Sequence, residues 1–301
     1  MNGFLLLLSG AAVVLVFALS RAFAATPPKS EFEQRFAPVH TTVLDPGGAF
    51  SYSETYPKLE AIEQLARRIG ADSSERARVL DLMSLVRFKH GDYAEALQLG
   101  DTCLALKSAT AIAPADRILL IHRVAKSAEN MERYDVAVSR YRTVLDFDAS
   151  AKGSLLTDAQ RLGVRENIGF VLHENKEYAQ ALASNRSTLA DAERIFGPND
   201  GRLTTILTNL AQNTYELGQF AEAQATLQRS LDIARAAGKD EVADEMLFQL
   251  GVLAFERGDI EGARSRMKER LQAAADAHDD ERIAQAQTAA AELEHRIATR
   301  H

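Results

Sequence analysis

The sequence predicts an all-α protein: a right-handed α-solenoid of about five helical hairpins with flanking cap helices. Two observations carry this prediction. A pattern of large and small residues recurs five times, at intervals of 40 to 44 residues. Glycine and proline are sparse, at 17 and 7 of 301 residues, while alanine, leucine, glutamate, glutamine and arginine, which favour helices, are frequent.

The chain opens with an apolar segment. Residues 4–19 carry no charge, and small residues precede a cut after Ala24, as at a signal peptidase site. This pattern predicts that residues 1–24 are a signal peptide and that the protein is exported, to a periplasm or the cell exterior. One alternative is an uncleaved membrane anchor through residues 3–20, because no basic residue precedes the run and Arg21 follows it. The other is an ordinary buried helix.

A linker is predicted next. Five of the seven prolines precede residue 58, and residues 45–48 read Asp-Pro-Gly-Gly, a strong turn signal. Because proline interrupts helices, we expect residues 25–55 to be extended or irregular. Aromatic residues in and beside this segment are expected to pack onto the first hairpin or into its groove: Phe32, Phe36, Phe50, Tyr52 and Tyr56.

Four aligned columns define the repeat. A large residue opens the second helix of each hairpin: Tyr93, Tyr134, Tyr178, Phe220 and Ile260. Three residues later stand Ala96, Ala137, Ala181, Ala223 and Ala263. Eleven residues after the large residue stand Leu104, Leu145, Leu189, Leu231 and Leu271. On the first helix, nine residues before it, stand Ser84, Ala125, Gly169, Ala211 and Gly251, each preceded by a large apolar residue.

These columns describe a helix, a tight turn and a second helix. Gly91, Gly218 and Gly258 stand in three of the turns, where a left-handed residue ends the first helix. The small columns let the two helix axes approach closely, and the leucines are expected on the buried stripe. One hairpin cannot bury its apolar face alone, so successive hairpins stack.

Cap helices complete the predicted array, which spans residues 56–272. Residues 56–69 read as a helix with one apolar face that covers the first hairpin. Residues 273–301 read as a C-terminal capping helix with a thin apolar stripe. Such a polar end discourages end-to-end stacking and predicts a monomer.

These motifs resemble the tetratricopeptide repeat (TPR), in which G-x-[YF]-x-x-A and a later A-L mark each unit. The resemblance covers about residues 77–272. Units of 40 to 44 residues, and the Gly-Pro-Asn turn that begins at Gly197, are similar to the kinesin-light-chain variant of the family, whereas the usual unit has about 34 residues. The chain departs from the pattern at Glu132, where the second turn lacks its glycine, and at Gly100, where a large residue is usual.

The resemblance implies a concave groove lined by the first helices. It implies that one row of amides contacts the backbone of a bound peptide, since an amide both donates and accepts hydrogen bonds. That row is Asn167, Asn209 and Gln249. Matching offsets place further residues in the groove: Lys126, Phe170, His173, Gln212, Tyr215 and Phe255. Solvation of a helix face, or packing between hairpins, is the alternative role for these residues. Lys126 is the one candidate cation, so a clamp for a terminal carboxylate is not predicted.

No motif for catalysis emerges. The seven histidines form no pair at metal-binding spacing, and P-loop, dinucleotide and G-x-S-x-G patterns are missing from the sequence. The S-x-x-K match from Ser265 to Lys268 lies inside a predicted repeat helix, and Cys103 lies in a buried register. We therefore predict no catalytic residue, metal or cofactor. A formal net charge of −7 without a basic stripe also argues against nucleic-acid binding.

The predicted function is that of a non-catalytic scaffold, which holds a peptide segment or partner protein in its groove. The alternative is a sensory or regulatory component of a membrane-anchored signalling or envelope-assembly system, with membrane contact only if the first segment is retained. An enzyme is the third possibility. The partner's identity does not follow from the sequence.

Overall fold

A computed structural model of the protein describes residues 28–47 and 49–299. The chain forms two compact units, Met1–Met131 and Glu132–His301, here called the N-terminal and C-terminal units. The described residues form thirteen α-helices and one short 3-10 helix, and they include no strand, so the all-α prediction is confirmed. The predicted signal peptide, residues 1–24, lies outside the described residues.

The N-terminal unit contains five α-helices. They are α1 (Pro28–Leu44), α2 (Tyr52–Ile69), α3 (Ser74–His90), α4 (Tyr93–Ala105) and α5 (Pro114–Asn130), with the 3-10 helix at Lys107–Ala111 between the last two. Helices α1 and α2 contact each other and pack on α3, which forms a hairpin with α4.

The C-terminal unit contains eight α-helices. They are α6 (Tyr134–Ser150), α7 (Asp158–Glu174), α8 (Tyr178–Phe196), α9 (Leu203–Glu216), α10 (Phe220–Ala236), α11 (Asp240–Glu256), α12 (Ile260–Asp276) and α13 (Asp280–Ala298). Each helix contacts the next along the chain, which gives a stack of antiparallel hairpins. The predicted C-terminal cap corresponds to α13.

The linker prediction for residues 25–55 is wrong over most of its described length, because residues 28–44 form helix α1 with Pro38 in its interior. Burial explains the difference. Phe32, Phe36 and Val43 are fully or almost fully buried, and they form one cluster with Leu59 and other residues of α2 and α3. Burying one such side chain contributes about 1.5–3 kcal/mol, so three of them outweigh a cost of about 3 kcal/mol for an interior proline.

Helices α1 and α2 form a further hairpin ahead of the five predicted ones. Tyr52 opens α2 and lies 41 residues before Tyr93, at the repeat interval. The predicted cap helix therefore begins at Tyr52 rather than at residue 56. Tyr52 stacks on His90 at a centroid distance of 3.7 Å, and its hydroxyl donates to Asp92 at 3.3 Å, which ties this hairpin to the next turn.

The leucine column is only partly buried. Leu231 is fully buried, whereas Leu104, Leu145, Leu189 and Leu271 are half-buried. The fully buried register lies one residue earlier, at Cys103, Val144, Thr188, Ser230 and Arg270. The predicted burial of Cys103 is confirmed, and burial raises the pKa of its thiol to about 12. Arg270 is the one charged residue in this register, and its ion pair is described with the functional site below.

Left-handed residues end the first helices, as predicted. Gly258 has φ 83° in the turn after α11, whereas Lys176 takes φ 60° in the equivalent turn after α7. The backbone N–H of Lys176 donates to the His173 carbonyl at 2.8 Å, and that of Glu177 donates to the Leu172 carbonyl at 2.9 Å. The hydrogen bonds of the turn thus hold the backbone of Lys176 in the left-handed conformation, which glycine adopts more easily than a residue with a side chain.

Replacing Lys176 with glycine is expected to stabilise the protein by about 0.5–1 kcal/mol. The left-handed conformation costs a residue with a side chain about 1–2 kcal/mol, and the greater freedom of glycine in the unfolded chain cancels part of the gain. Urea unfolding followed by circular dichroism measures the change. Lys176→Ala is the matched control, since it removes the long side chain and keeps the strain. Equal stability of the two variants would contradict the explanation.

Candidate peptide-binding groove

The first helices of the C-terminal hairpins line two adjoining depressions. One, of about 330 Å³, lies along α9 and α11, with His173 of α7 at its edge. The other, of about 600 Å³, lies between α11, α12 and α13. Phe248 and Val252 line both, and we call the two depressions together the groove. Its apolar surface comes mainly from Tyr215, Phe248, Val252, Phe255, Leu227, Leu253, Met267 and Leu293.

Five of the nine predicted groove residues line these depressions: His173, Gln212, Tyr215, Gln249 and Phe255. Gln212 is exposed, and His173, Tyr215 and Gln249 are half-buried. Phe255 is only 6% exposed and packs with Met267 and Leu293, so it belongs to the floor of the groove rather than to its rim.

The predicted amide row is only partly present at the depressions. Gln249 lines one depression, and its amide donates to Glu245 at 2.7 Å. Asn167 and Asn209 are half-buried and line neither depression, although both lie on first helices of the same unit. Their contact with a peptide backbone stays a prediction.

Two other predicted residues lie away from the depressions. Phe170, on α7, is 42% exposed, which makes it one of the exposed large apolar side chains of the described residues. Lys126 belongs to the N-terminal unit, where its ammonium group pairs with Glu129. It lines a separate depression together with Phe36, Asp81 and His122.

Hydrogen bonds hold two rim side chains of the groove in place. The His173 Nδ1 atom lies 2.9 Å from Oδ1 of Asn213, a buried residue of α9. The Tyr215 hydroxyl donates to the carboxylate of Glu256 on α11, the first helix of the following hairpin. This bond raises the pKa of Tyr215 to about 12, because ionisation would set two negative charges side by side.

A buried ion pair lies beneath the groove. Asp244 and Arg270 have side chains only 8% exposed, and Nε and Nη2 of Arg270 lie 2.9 and 2.7 Å from the Asp244 Oδ2 atom. The Arg270 guanidinium also lies 5.2 Å from the ring centroid of Phe248, and Arg282 approaches the other Asp244 oxygen at 3.9 Å. The ion pair therefore packs against the aromatic residue that lines both depressions. The repeat columns did not reveal this pair, although an arginine where the other hairpins have Cys, Val, Thr and Ser was a signal.

The second helices, together with the cap helix α13, carry a different electrostatic pattern. Arginines and glutamates of successive hairpins pair across the helices at 2.6–2.7 Å, and we call this line of pairs the ion-pair ridge. Its pairs are Arg186–Glu222, Arg229–Glu193, Arg235–Glu269 and Arg264–Glu294.

The described residues offer neither a metal-binding cluster nor a membrane-spanning helix. Across residues 28–47 and 49–299, no group of three or more His, Cys, Asp or Glu side chains is placed to hold a metal ion. Among the helices of these residues, none combines the length and the apolar character that a bilayer crossing needs.

The comparison with protein families identifies the repeat. Residues 160–236, which contain α8, α9, α10 and most of α7, match the family model of the tetratricopeptide repeat. This segment consists of tetratricopeptide repeats. The hairpins on either side of it carry the same columns of large and small residues, so the TPR resemblance inferred from the sequence is confirmed. No curated protein is significantly similar to the chain in sequence.

Solved structures show the same TPR fold. BtubC (BKLC) from P. vanneervenii superposes with a TM-score of 0.55 at 16% identity, covering 77% of this chain and 94% of its own. A candidate kinesin light chain from Podosopora anserina, with nearly identical TPR-like repeats, gives 0.53 at 16% identity and covers 70% and 99%. The apo form of RapI gives 0.66 at 11% identity and covers 92% and 74%. At these identities the likeness concerns the fold alone.

Proposed function

We propose that this protein is a non-catalytic interaction scaffold that holds an extended peptide segment of a partner in the groove. The observation that carries the proposal is the groove itself. Its floor of Phe248, Val252 and Phe255 is apolar, and its rim offers the amides of Gln212 and Gln249. Apolar depressions take side chains of a peptide, and amides pair with its backbone whatever its sequence.

Tyr215 is the proposed anchor of the interaction. Tyrosine combines a large apolar ring with a hydroxyl, and buried aromatic residues at the centre of an interface carry much of the binding energy. Its ring lies 5.6 Å from that of Phe220, edge to face, and its hydroxyl is held by Glu256. The side chain is therefore positioned before a ligand arrives, which lowers the entropic cost of binding.

A selection from a display library of random decapeptides tests this proposal. The purified protein is expected to enrich peptides whose affinity falls about 30-fold or more in the Tyr215→Ala and Phe248→Ala variants, as for central interface residues. Leu119→Ala is the control, because Leu119 is 59% exposed and belongs to the N-terminal unit. No enrichment, or peptides that bind all variants equally, would reject the groove as the binding site.

We also propose that the scaffold is exported and that residues 1–24 are its signal peptide. The apolar run and the small residues before the cut support this reading. N-terminal sequencing of the protein from its natural source would then begin at Ala25. A mature chain that begins at Met1 would favour the anchored alternative.

A further inference from the structure

We propose that the segment held in the groove is basic, with lysine or arginine residues beside the apolar side chains that enter the two depressions. This inference rests on the proposed function and names the chemistry of the partner. It follows from the placement of charge around the groove.

A row of three glutamates follows the groove helices. Glu174, Glu216 and Glu256 are the last residues of α7, α9 and α11, 42 and 40 residues apart, and all three are exposed. The carbonyl end of a helix carries partial negative charge, so a carboxylate is unfavourable there. Helix stability therefore does not explain Glu174 and Glu216, whereas Glu256 accepts the hydrogen bond of the Tyr215 hydroxyl. Of the three, Glu216 lines a depression.

The groove helices also lack compensating cations. Neither α9 nor α11 contains a lysine or an arginine. Further carboxylates line the depressions at Glu245 and Glu292, whereas Arg296 is the one exposed arginine among the lining residues of the C-terminal unit's two depressions. The described groove surface therefore has an excess of negative charge.

The carboxylates of the ion-pair ridge and those beside the groove differ in whether they form ion pairs. Along the ion-pair ridge, arginines neutralise the glutamates of a neighbouring second helix or, at Glu294, of the cap helix α13. Within the described part of the chain, no lysine or arginine forms an ion pair with Glu174, Glu216, Glu245 or Glu292. Arginines thus neutralise the carboxylates of the ridge, whereas these four carboxylates near the groove have no cationic partner among the described residues.

A basic segment fits both parts of this surface. Its apolar side chains would cover Phe248 and Val252, and its cations would reach the lining carboxylates Glu216, Glu245 and Glu292. An acidic segment would meet like charges, which is unfavourable across an interface. Exposed charges are screened by salt, so the interaction is expected to weaken as ionic strength rises.

The peptides recovered from the display selection provide the test. They are expected to be enriched in lysine and arginine, and their affinity, measured by fluorescence anisotropy, is expected to fall about tenfold between 50 and 500 mM NaCl. The triple variant Glu216→Gln/Glu245→Gln/Glu292→Gln is expected to bind them about tenfold more weakly. Its thermal unfolding midpoint should stay close to that of the wild type, because all three carboxylates are exposed and none of them forms an ion pair among the described residues.

A matched triple variant controls for net charge. Glu54→Gln/Glu60→Gln/Glu95→Gln removes the same number of exposed carboxylates from the N-terminal unit and should leave affinity unchanged. Neutral or acidic peptides that still depend on Tyr215 would overturn this inference and leave the proposed function standing. Equal weakening by both triples would also overturn it. A failure to recover any peptide that depends on Tyr215 would instead reject the proposed function.

Discussion

Replacing Asp244 with alanine is expected to lower the free energy of unfolding by about 3–5 kcal/mol, because it leaves a buried charge without its partner. Arg270 is 7% exposed and makes its charged hydrogen bonds to Asp244, and Arg282 lies 3.9 Å from the same carboxylate. Without the carboxylate, the arginines must either stay desolvated or break the packing beneath Phe248. Urea or thermal unfolding measures the loss.

The double variant Asp244→Leu/Arg270→Met separates the cost of an orphaned charge from the contribution of the pair. Buried ion pairs replaced by apolar residues of similar volume are often neutral or stabilising. The equivalent positions in the hairpin of α7 and α8 hold the uncharged residues Leu162 and Thr188, and both are buried. We therefore expect the double variant to be much more stable than Asp244→Ala. A double variant as unstable as the single one would show that the pair itself stabilises the fold.

Replacing Gly100 with leucine is expected to destabilise the protein by about 3 kcal/mol, although a large residue is usual at this position of the repeat. The equivalent residues are Tyr141, Asn185, Leu227 and Met267. At Gly100, however, a Cβ atom would clash with Cγ2 of Val124 and lie 3.3 Å from Oγ of Ser84. Valine is stiff at its first side-chain torsion, so the neighbour has little freedom to move aside.

Gly163→Ala is the control for Gly100→Leu. Gly163 lies inside α7, and a Cβ there would meet no atom within 4 Å. Alanine should therefore stabilise the helix by about 0.5–1 kcal/mol, the usual difference between alanine and glycine in a helix interior. Thermal unfolding of both variants gives the comparison. A Gly100→Leu protein as stable as the wild type would mean that α5 can shift to admit the side chain.

Close packing explains why Gly100 departs from the repeat pattern. In other hairpins a small residue on the first helix faces the large one, as Gly251 faces Met267, where a Cβ would come within 2.7 Å of the Met267 Cε atom. In the hairpin of α3 and α4, Val124 of the following helix fills that space instead.

The repeat columns predicted the hairpins well because they encode contacts within one hairpin. The position of Ala181, fully buried between α7 and α8, follows from the small side chain that close helices need. Helix α1 was not predicted, because Pro38 was taken to interrupt a helix. The burial of Phe32 and Phe36, four residues apart on one helix face, stabilises the helix by more than the proline destabilises it.

The groove could be predicted only in part. Offsets on the first helices place Tyr215 and Gln249 at the groove, because the repeat interval fixes which face of a helix a residue occupies. The same offsets do not determine how deeply each side chain is buried. Phe255 lies in the floor because α13 packs on it through Leu293, and the pairing of Asp244 with Arg270 depends on the tertiary neighbours of each residue. A column of residues at one repeat offset contains no information about contacts between different columns, so it predicted neither the burial of Phe255 nor the Asp244–Arg270 pair.

The ion-pair ridge has a consequence for how such an array can evolve. Exposed pairs contribute little stability, a median of about 0–1 kcal/mol each. Yet Arg229 reaches back to Glu193, Arg235 reaches forward to Glu269, and each bond joins one hairpin to a particular neighbour. Exchanging the order of two hairpins, or duplicating one, would bring together side chains that do not match in sign. The ridge therefore disfavours shuffled arrangements and helps to keep a fixed succession of modules.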